Sequence, residues 1–600
     1  MAPALKPYNG TQRKLVLAFD VGTTFSGIAY ALLDPGEVPT VQSVTRFPGQ
    51  ENAAGSSKFP SILYYNTQGE VRAAGGEAAL PGMELEADDD KLVFVEWFKL
   101  HLRPETVDKS TFNKADIPPL PQGKTVVDVF TDFLRYLYDC ARRYVVETHA
   151  VGDRLWDSLG DRIDIVLSHP NGWEGPQQSK MRLAAIRGGL VPDTPAGHAR
   201  VHFVTEGEAS LYYCVQNGLV EESTNDGDSV MIVDAGGGTV DISTYKFVTV
   251  SPMTVEEAAN PDCLMQGSTT VNVRASKFLK DKLVKSRYGN DDDIKSMMEF
   301  FDKNTKQIFK DSAEPSYIKF GSMGCNDPVA GIRRGQLVLS GSEVSALFEP
   351  SAVAIVDAIQ RQRQLSPPSL RTVFLVGGFA ASPWLFARLQ QQLKALGLVL
   401  SRPDRHTSKA VSEGAVAFYL GRWVSARKAR VTYGVKCSHY LNSSNSEHIK
   451  RYAKVYTLPS GLRAVRDGYI TMLSKGSQVT ENHEIQREMI KESNKKADLK
   501  YVTSDITCYR GKAGDPAWTD VEPEMFSKLC TVYADTSRAQ KHKKKGPMGH
   551  FFRAEYKVIL LCGLTELKAQ ISWIENLSTY SDIHRGPASI VYDDDAAARD

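Results

Sequence analysis

The stretch VMIVDAGGGTVDISTY, Val230 to Tyr245, restricts the possible folds of this chain more than any other. An apolar β-type run ends in Asp234. Gly236, Gly237 and Gly238 follow, then Thr239 and Asp241. That order predicts a hairpin whose turn can receive an anion. Glycine lets backbone N–H groups turn inward and approach the anion closely. Thr239 adds a hydroxyl donor. Asp234 and Asp241 would repel bare phosphate, so a cation or an attacking water must sit between them. The residues read as a magnesium–nucleotide site at a hairpin end, although a plain glycine turn between strands would give the same pattern.

A second copy weighs against the plain turn. LVLAFDVGTTFSGIAY, Leu15 to Tyr30, carries Asp20, Gly22, Thr23, Thr24, Ser26 and Gly27 between two apolar runs. The copies stand about 210 residues apart, which predicts a duplicated architecture with one phosphate-gripping loop per half. A third motif, RTVFLVGGFAASPWLFARLQQQLKALG from Arg371 to Gly397, reads as a strand ending at Gly377 and Gly378. A helix follows, with Ser382 as N-cap and Pro383 in its first turn. A glycine-lined helix N-terminus at a strand end suits a nucleotide, and is also the ordinary form of a strand–helix loop.

Six hundred residues exceed one hydrophobic core, so two or more domains are expected. With 72 basic against 71 acidic residues, a broad nucleic-acid or anionic-membrane surface is not expected. Eight cysteines contain no CxxC pair, which supports neither a zinc ribbon nor a redox motif. No signal-peptide core and no run of about 18 apolar residues is present, so the expectation is a soluble protein of the cytoplasm or nucleus.

Residues 1–13 read as a flexible tail and Pro48–Lys58 as a surface loop. FPSILYY, Phe59–Tyr65, reads as a strand. Val126–His149 has the apolar spacing of a long amphipathic helix. Residues 272–310 read as helix broken near Gly289–Asp293, with a solvated triple aspartate, and Leu347–Gln362 reads as another helix. Beyond Ala429 short β-type runs predict a small β-sandwich over 430–580. The basic run ending at Lys545 reads as a solvated loop, and 586–600 as a polar tail.

Together the three motifs resemble the nucleotide-binding domain of the heat shock protein 70 family, within the actin-like ATPase superfamily. DVGTTFSG is similar to the family's first phosphate motif, DAGGGTVDIS to the second and LVGGFAASPWL to the adenosine motif. FEPSAVAIVDAI and the stretch from Pro403 and Asp404 to AVSEGAVAFYL also fit. HPNGW and WFKLHL resemble the atypical, twelve-A-like branch rather than the standard chaperones. The resemblance implies an α/β, ribonuclease H-like, two-lobed nucleotide-binding domain over 14–425. Lobe I would cover about 14–225 and lobe II about 226–425, followed by a smaller mostly-β domain of substrate-binding type.

Carried over by position, the resemblance implies that Asp20, Gly22, Thr23, Thr24, Asp234, Gly236, Gly237, Gly238, Thr239 and Asp241 surround the phosphates of ATP or ADP and a Mg2+ ion. The metal would be held by Asp20 and Asp234, mostly through water. Lys99 matches the catalytic lysine, and Glu206 the acid that orients water. Gly377 and Gly378 match the adenosine pocket, and Asp302 and Lys306 the acid and base beside sugar and adenine. Two departures stand out. Ala381 replaces an arginine near adenine, and the family's apolar linker is missing around Arg427–Val435. The resulting expectation is a slowly hydrolysing, chaperone-like ATPase, a monomer with peptide clients and co-chaperones. The alternatives are a nucleotide-sensing interaction protein with little hydrolysis, or a small-molecule kinase of the same superfamily.

Overall fold

The computed structural model describes residues 5–51, 57–104, 116–171, 173, 175–220, 224–403, 407–480, 483–547, 549–563, 567–577, 580–586 and 589–590. The chain is a mixed α/β protein that falls into two compact units. One comprises Met1–Trp173 with Lys180–Trp423, the other Glu174–Ser179 with Val424–Asp600.

In the first unit, Leu15 to Phe19 can all be apolar because the strand Lys14–Asp20 is covered on both faces, and all five are fully buried. This strand pairs antiparallel with Phe25–Leu33. On its other edge it pairs parallel with Ile163–His169, which in turn runs parallel to Val201–Thr205. The second glycine motif repeats the plan. Ser229–Ala235 pairs antiparallel with Val240–Val250 and parallel with Leu370–Val376, and beyond that lies Val399–Ser401. Each motif is therefore a hairpin in the middle of its own sheet, with Asp20 and Asp234 at carboxyl ends of strands that have a parallel neighbour. That is where open α/β sheets bind ligands.

Two apolar cores form, one around each sheet. The first is covered by the helix Val126–Thr148, whose start is fixed by a reciprocal cap between Thr125 and Asp128. Phe98 packs edge-on against Phe130 and Phe133 of that helix, at ring separations of 5.5 and 5.1 Å. This stack anchors the short 3-10 helix Phe98–Leu102, which carries Lys99. In the second half the helix Pro383–Ala395 starts as its sequence predicts, with Ser382 Oγ accepting from Leu385 N and proline in the first turn. The helix Ala410–Gly421 packs against the helix Glu206–Gln216 and against the strand Lys14–Asp20.

The second unit is mostly β. One sheet joins Val455–Thr457, Arg463–Leu473, Thr432–Tyr440, Tyr501–Tyr509 and Phe526–Asp535 in that order. Another runs through His483–Ser493, Gly549–Cys562, Leu567–Leu577 and Tyr580–Arg585. Val435, Val502, Ile506 and Val532 from the first meet Val558, Leu560 and Ile571 from the second in one core. Among the described residues, no helix is long and apolar enough to cross a membrane.

In the N-terminal stretch, Tyr8 N–H donates to Glu37 O and its carbonyl accepts from Gly36 N, both at 2.8 Å. Two expectations need correction. Phe59–Tyr65 is not one strand; Ser61 and Ile62 separate Lys58–Pro60 from Leu63–Tyr65. The basic run is not a loop but an edge strand, Lys541–Gly546, paired with Gly549–Ala554. An edge position leaves Lys543, Lys544 and Lys545 in solvent while the backbone pairs, which is how lysine is tolerated at sheet edges. The triple aspartate is solvent-facing as expected, with Asp291 and Asp292 exposed, and it occupies the first turn of the helix Asp291–Phe300, capped by Asn290, where the helix dipole favours negative charge. Asp404 and most of the C-terminal polar stretch lie outside the described residues.

Phe98→Ala should cost about 3–5 kcal/mol, the usual range for removing a buried phenylalanine. A urea titration reads this directly, and an unchanged midpoint would show that the ring stack does not hold the turn.

Candidate functional site

The two hairpin turns face each other across one cavity of about 1830 Å³. Asp20, Gly22, Thr23 and Thr24 line it from the first half. Asp234, Gly236, Gly237, Gly238, Thr239, Gly377 and Gly378 line it from the second. Lys99, Glu206, Asp302 and Lys306 also reach it. Of the residues expected at the site, only Asp241 does not. It is buried behind the wall, where its carboxylate accepts from Asn171 N at 2.6 Å.

The turns nearly interlock. A side chain on Gly237 would run into Thr24 Oγ1, and one on Gly238 into Thr23 Oγ1. The carbonyls of Gly236, Gly237 and Gly238 accept from Ser268, Thr269 and Gly267 N, at 3.1, 2.9 and 3.2 Å. The start of the helix Ser268–Leu283 thus fixes the loop from behind. Gly377 has φ +93°, and a side chain there would strike the Asp234 carboxylate. That close approach sets the adenosine-type motif beside the second phosphate-type motif.

The charged side chains form a connected set. Lys99 Nζ donates to Glu206 Oε1 at 2.6 Å, and its ammonium lies 5.6 Å from the Trp173 ring centroid. Lys58 is ion-paired with Asp20, whose other oxygen accepts from Ser168 Oγ at 3.1 Å. Ser210 Oγ donates to Asp234 Oδ2 at 2.9 Å. Asn272 links Lys306 and Asp302: its Nδ2 donates to Asp302 Oδ1 and its Oδ1 accepts from Lys306 Nζ, both at 2.9 Å. Burial holds Lys306 below the ordinary lysine value despite Asp302.

Four buried carboxylates, Asp20, Glu206, Asp234 and Asp241, gather around two buried or half-buried lysines, Lys58 and Lys99. Burial, and then repulsion from Asp241 and Asp20, pushes the Asp234 carboxyl up to about 7. Burial presses Glu206 upward too, with the aspartates adding to it against the pull of Lys99. Burial opposes the charge on Lys99, but Glu206 and Asp20 outweigh it and raise the lysine above its ordinary value. A divalent cation fits this set by charge, since it would relieve the excess of carboxylate. Among the described residues no three acidic, histidine or cysteine side chains are arranged to hold a metal by themselves, so such an ion would need oxygens from water or its ligand.

Six residues of the site carried no motif in the sequence reading: Lys58, Ser168, Asn171, Trp173, Ser210 and Asn272. Asn171 and Trp173 stand in the HPNGW stretch, whose wording marked a family branch and not a contact. Ser168 and Ser210 sit inside an apolar strand and a helix, where small hydroxyls are unremarkable.

No protein-family model matches the chain. Curated proteins do, and the chain is distantly similar to members of the heat-shock-70 type. The particular relatives are Heat shock 70 kDa protein 12A of Homo sapiens, 23% identical over 506 residues, and its Mus musculus counterpart, 23% identical over 501. Each alignment covers 70% of this chain and 72% of the relative. Heat shock 70 kDa protein 12B of Homo sapiens is also 23% identical, over 512 residues, 70% of this chain and 71% of the relative.

Because Asp234 is raised in the folded protein, its ionisation opposes folding. The cost is complete above about pH 7 and vanishes as the pH falls to the ordinary aspartate value. Asp234→Asn should therefore raise the Tm of the ligand-free protein at pH 8, and the gain should shrink steadily toward pH 4. Thermal melts across that range check it; a gain independent of pH would contradict the repulsion argument.

Proposed function

We propose that this chain binds ATP and magnesium in the cavity between two lobes, about 14–225 and 226–425, and hydrolyses the nucleotide slowly. Nucleotide state would then gate a C-terminal β-rich binding module over 430–580 that takes peptide segments. The single observation that carries this reading is the interlocking of the two turns, Thr23 and Thr24 against Gly237 and Gly238, beside the Lys99–Glu206 pair.

The chemistry asks for positioning and charge stabilisation more than for covalent participation. Thr23, Thr24 and Thr239 supply hydroxyl donors to phosphate oxygens, and the glycine turns supply backbone N–H groups. Magnesium, when bound, would neutralise phosphate charge, held largely through water by Asp20 and Asp234. Lys99 holds the attacking water in line, and Glu206 fixes the lysine in place. Gly377 and Gly378 leave room for the nucleoside against the second hairpin. Asp302, Lys306 and Asn272 offer a prearranged donor and acceptor set for sugar or base.

A second reading is a nucleotide sensor with little turnover. Ala381, which lines the cavity where the resemblance leads one to expect arginine, favours it by weakening the grip on the base. Single-turnover hydrolysis with magnesium separates the two. Isothermal titration with ATP and ADP tests both, and an absence of heat at millimolar nucleotide would end either one. Lys99→Met should slow single turnover by about 100-fold or more, as loss of one preorganised donor does, with a much smaller change in ATP affinity. Equal turnover in mutant and parent would remove Lys99 from the mechanism.

A further inference from the structure

Lys58 belongs to none of the three motifs, yet it enters the heart of the cavity. It opens the short strand Lys58–Pro60, which pairs with Phe25–Leu33 so that Lys58 stands opposite Gly27. Gly27 stands opposite Asp20 on the next strand. Asp20, Gly27 and Lys58 therefore form one row across three neighbouring strands, on a common face. The outer two backbones are about 10 Å apart, two strand spacings, and the lysine stem spans the gap only because the middle position has no side chain. A methyl group on Gly27 would press against Lys58 Cε at 3.2 Å and Cδ at 3.3 Å.

The ammonium ends on Asp20, and the Lys58 side chain is 16% exposed. Lys99, a second lysine of the cavity, is committed to Glu206. If Lys58 moved away, Asp20 would keep its hydrogen bond from Ser168, so one of its two oxygens would stay paired. Lysine is a flexible point charge that suits such an exchange.

We propose that Lys58 is a resident cation of the phosphate site. It neutralises Asp20 in the ligand-free protein and passes to a phosphate oxygen when a nucleoside triphosphate binds. Nucleotide binding then does not depend wholly on a divalent metal. This rests on the nucleotide reading above and assigns part of its charge balance to the chain itself.

The test is calorimetric titration of the full chain with ATP, once with magnesium and once with EDTA, for the parent, Lys58→Gln and Lys58→Arg. The parent and Lys58→Arg should still bind in EDTA. Lys58→Gln should lose about 10- to 100-fold in EDTA, the worth of a charge-assisted contact, and clearly less with magnesium. Parent binding that vanishes in EDTA overturns the inference alone, as does Lys58→Gln binding as tightly as the parent without metal. No binding even with magnesium sinks the nucleotide reading and this inference together. Should Lys58→Gln melt early, the parent with and without EDTA decides the matter, with Lys58→Arg as the folded control.

Discussion

Mutual repulsion among buried carboxylates is the constraint that shapes this molecule. Asp20, Glu206, Asp234 and Asp241 all lie under the surface around the ends of two hairpins. Water cannot screen them there, so each must be answered by a donor the protein supplies. Lys58 and Ser168 answer Asp20, Lys99 answers Glu206, Ser210 answers Asp234, and the Asn171 backbone answers Asp241. The compensation is incomplete at Asp234, where the carboxyl remains raised toward neutrality. A site left short of positive charge is prepared for a ligand that brings some with it.

The architecture exists to hold that arrangement still. Both hairpins occupy the centre of a sheet, so their first strands are packed from above and below and cannot drift. The helix behind the second turn receives its three carbonyls, and the aromatic stack behind Lys99 fixes the first half's contribution. Rigid strands set the acids and short turns set the threonines. Two long cationic side chains in the phosphate region, Lys58 and Lys99, are each tethered to an acid.

Much of this could be read from the chain because the informative residues are contiguous. An apolar run ending in acid, glycines and threonine fixes strand, turn and chemistry within 16 positions, and it occurs twice. Asp241 shares a sheet face with its register partner Asp234, yet only Asp234 reaches the lining, because residue type and spacing do not say how far along a face a cavity extends. Lys58 was invisible for a different reason. Its role depends on alignment with Gly27 and Asp20 across three strands, and that pairing is written nowhere in the local sequence. The basic strand Lys541–Gly546 escaped because charge density reads as loop, whereas pairing along an exposed edge satisfies backbone and side chains at once.

The indole of Trp173 is 3% exposed and lies beside the Lys99 ammonium. A positive charge near an indole shifts its excited-state energy, so any displacement of that lysine will alter the emission of this one ring. The protein has seven tryptophans in all, and the buried one next to the site makes it its own optical reporter, readable without a label.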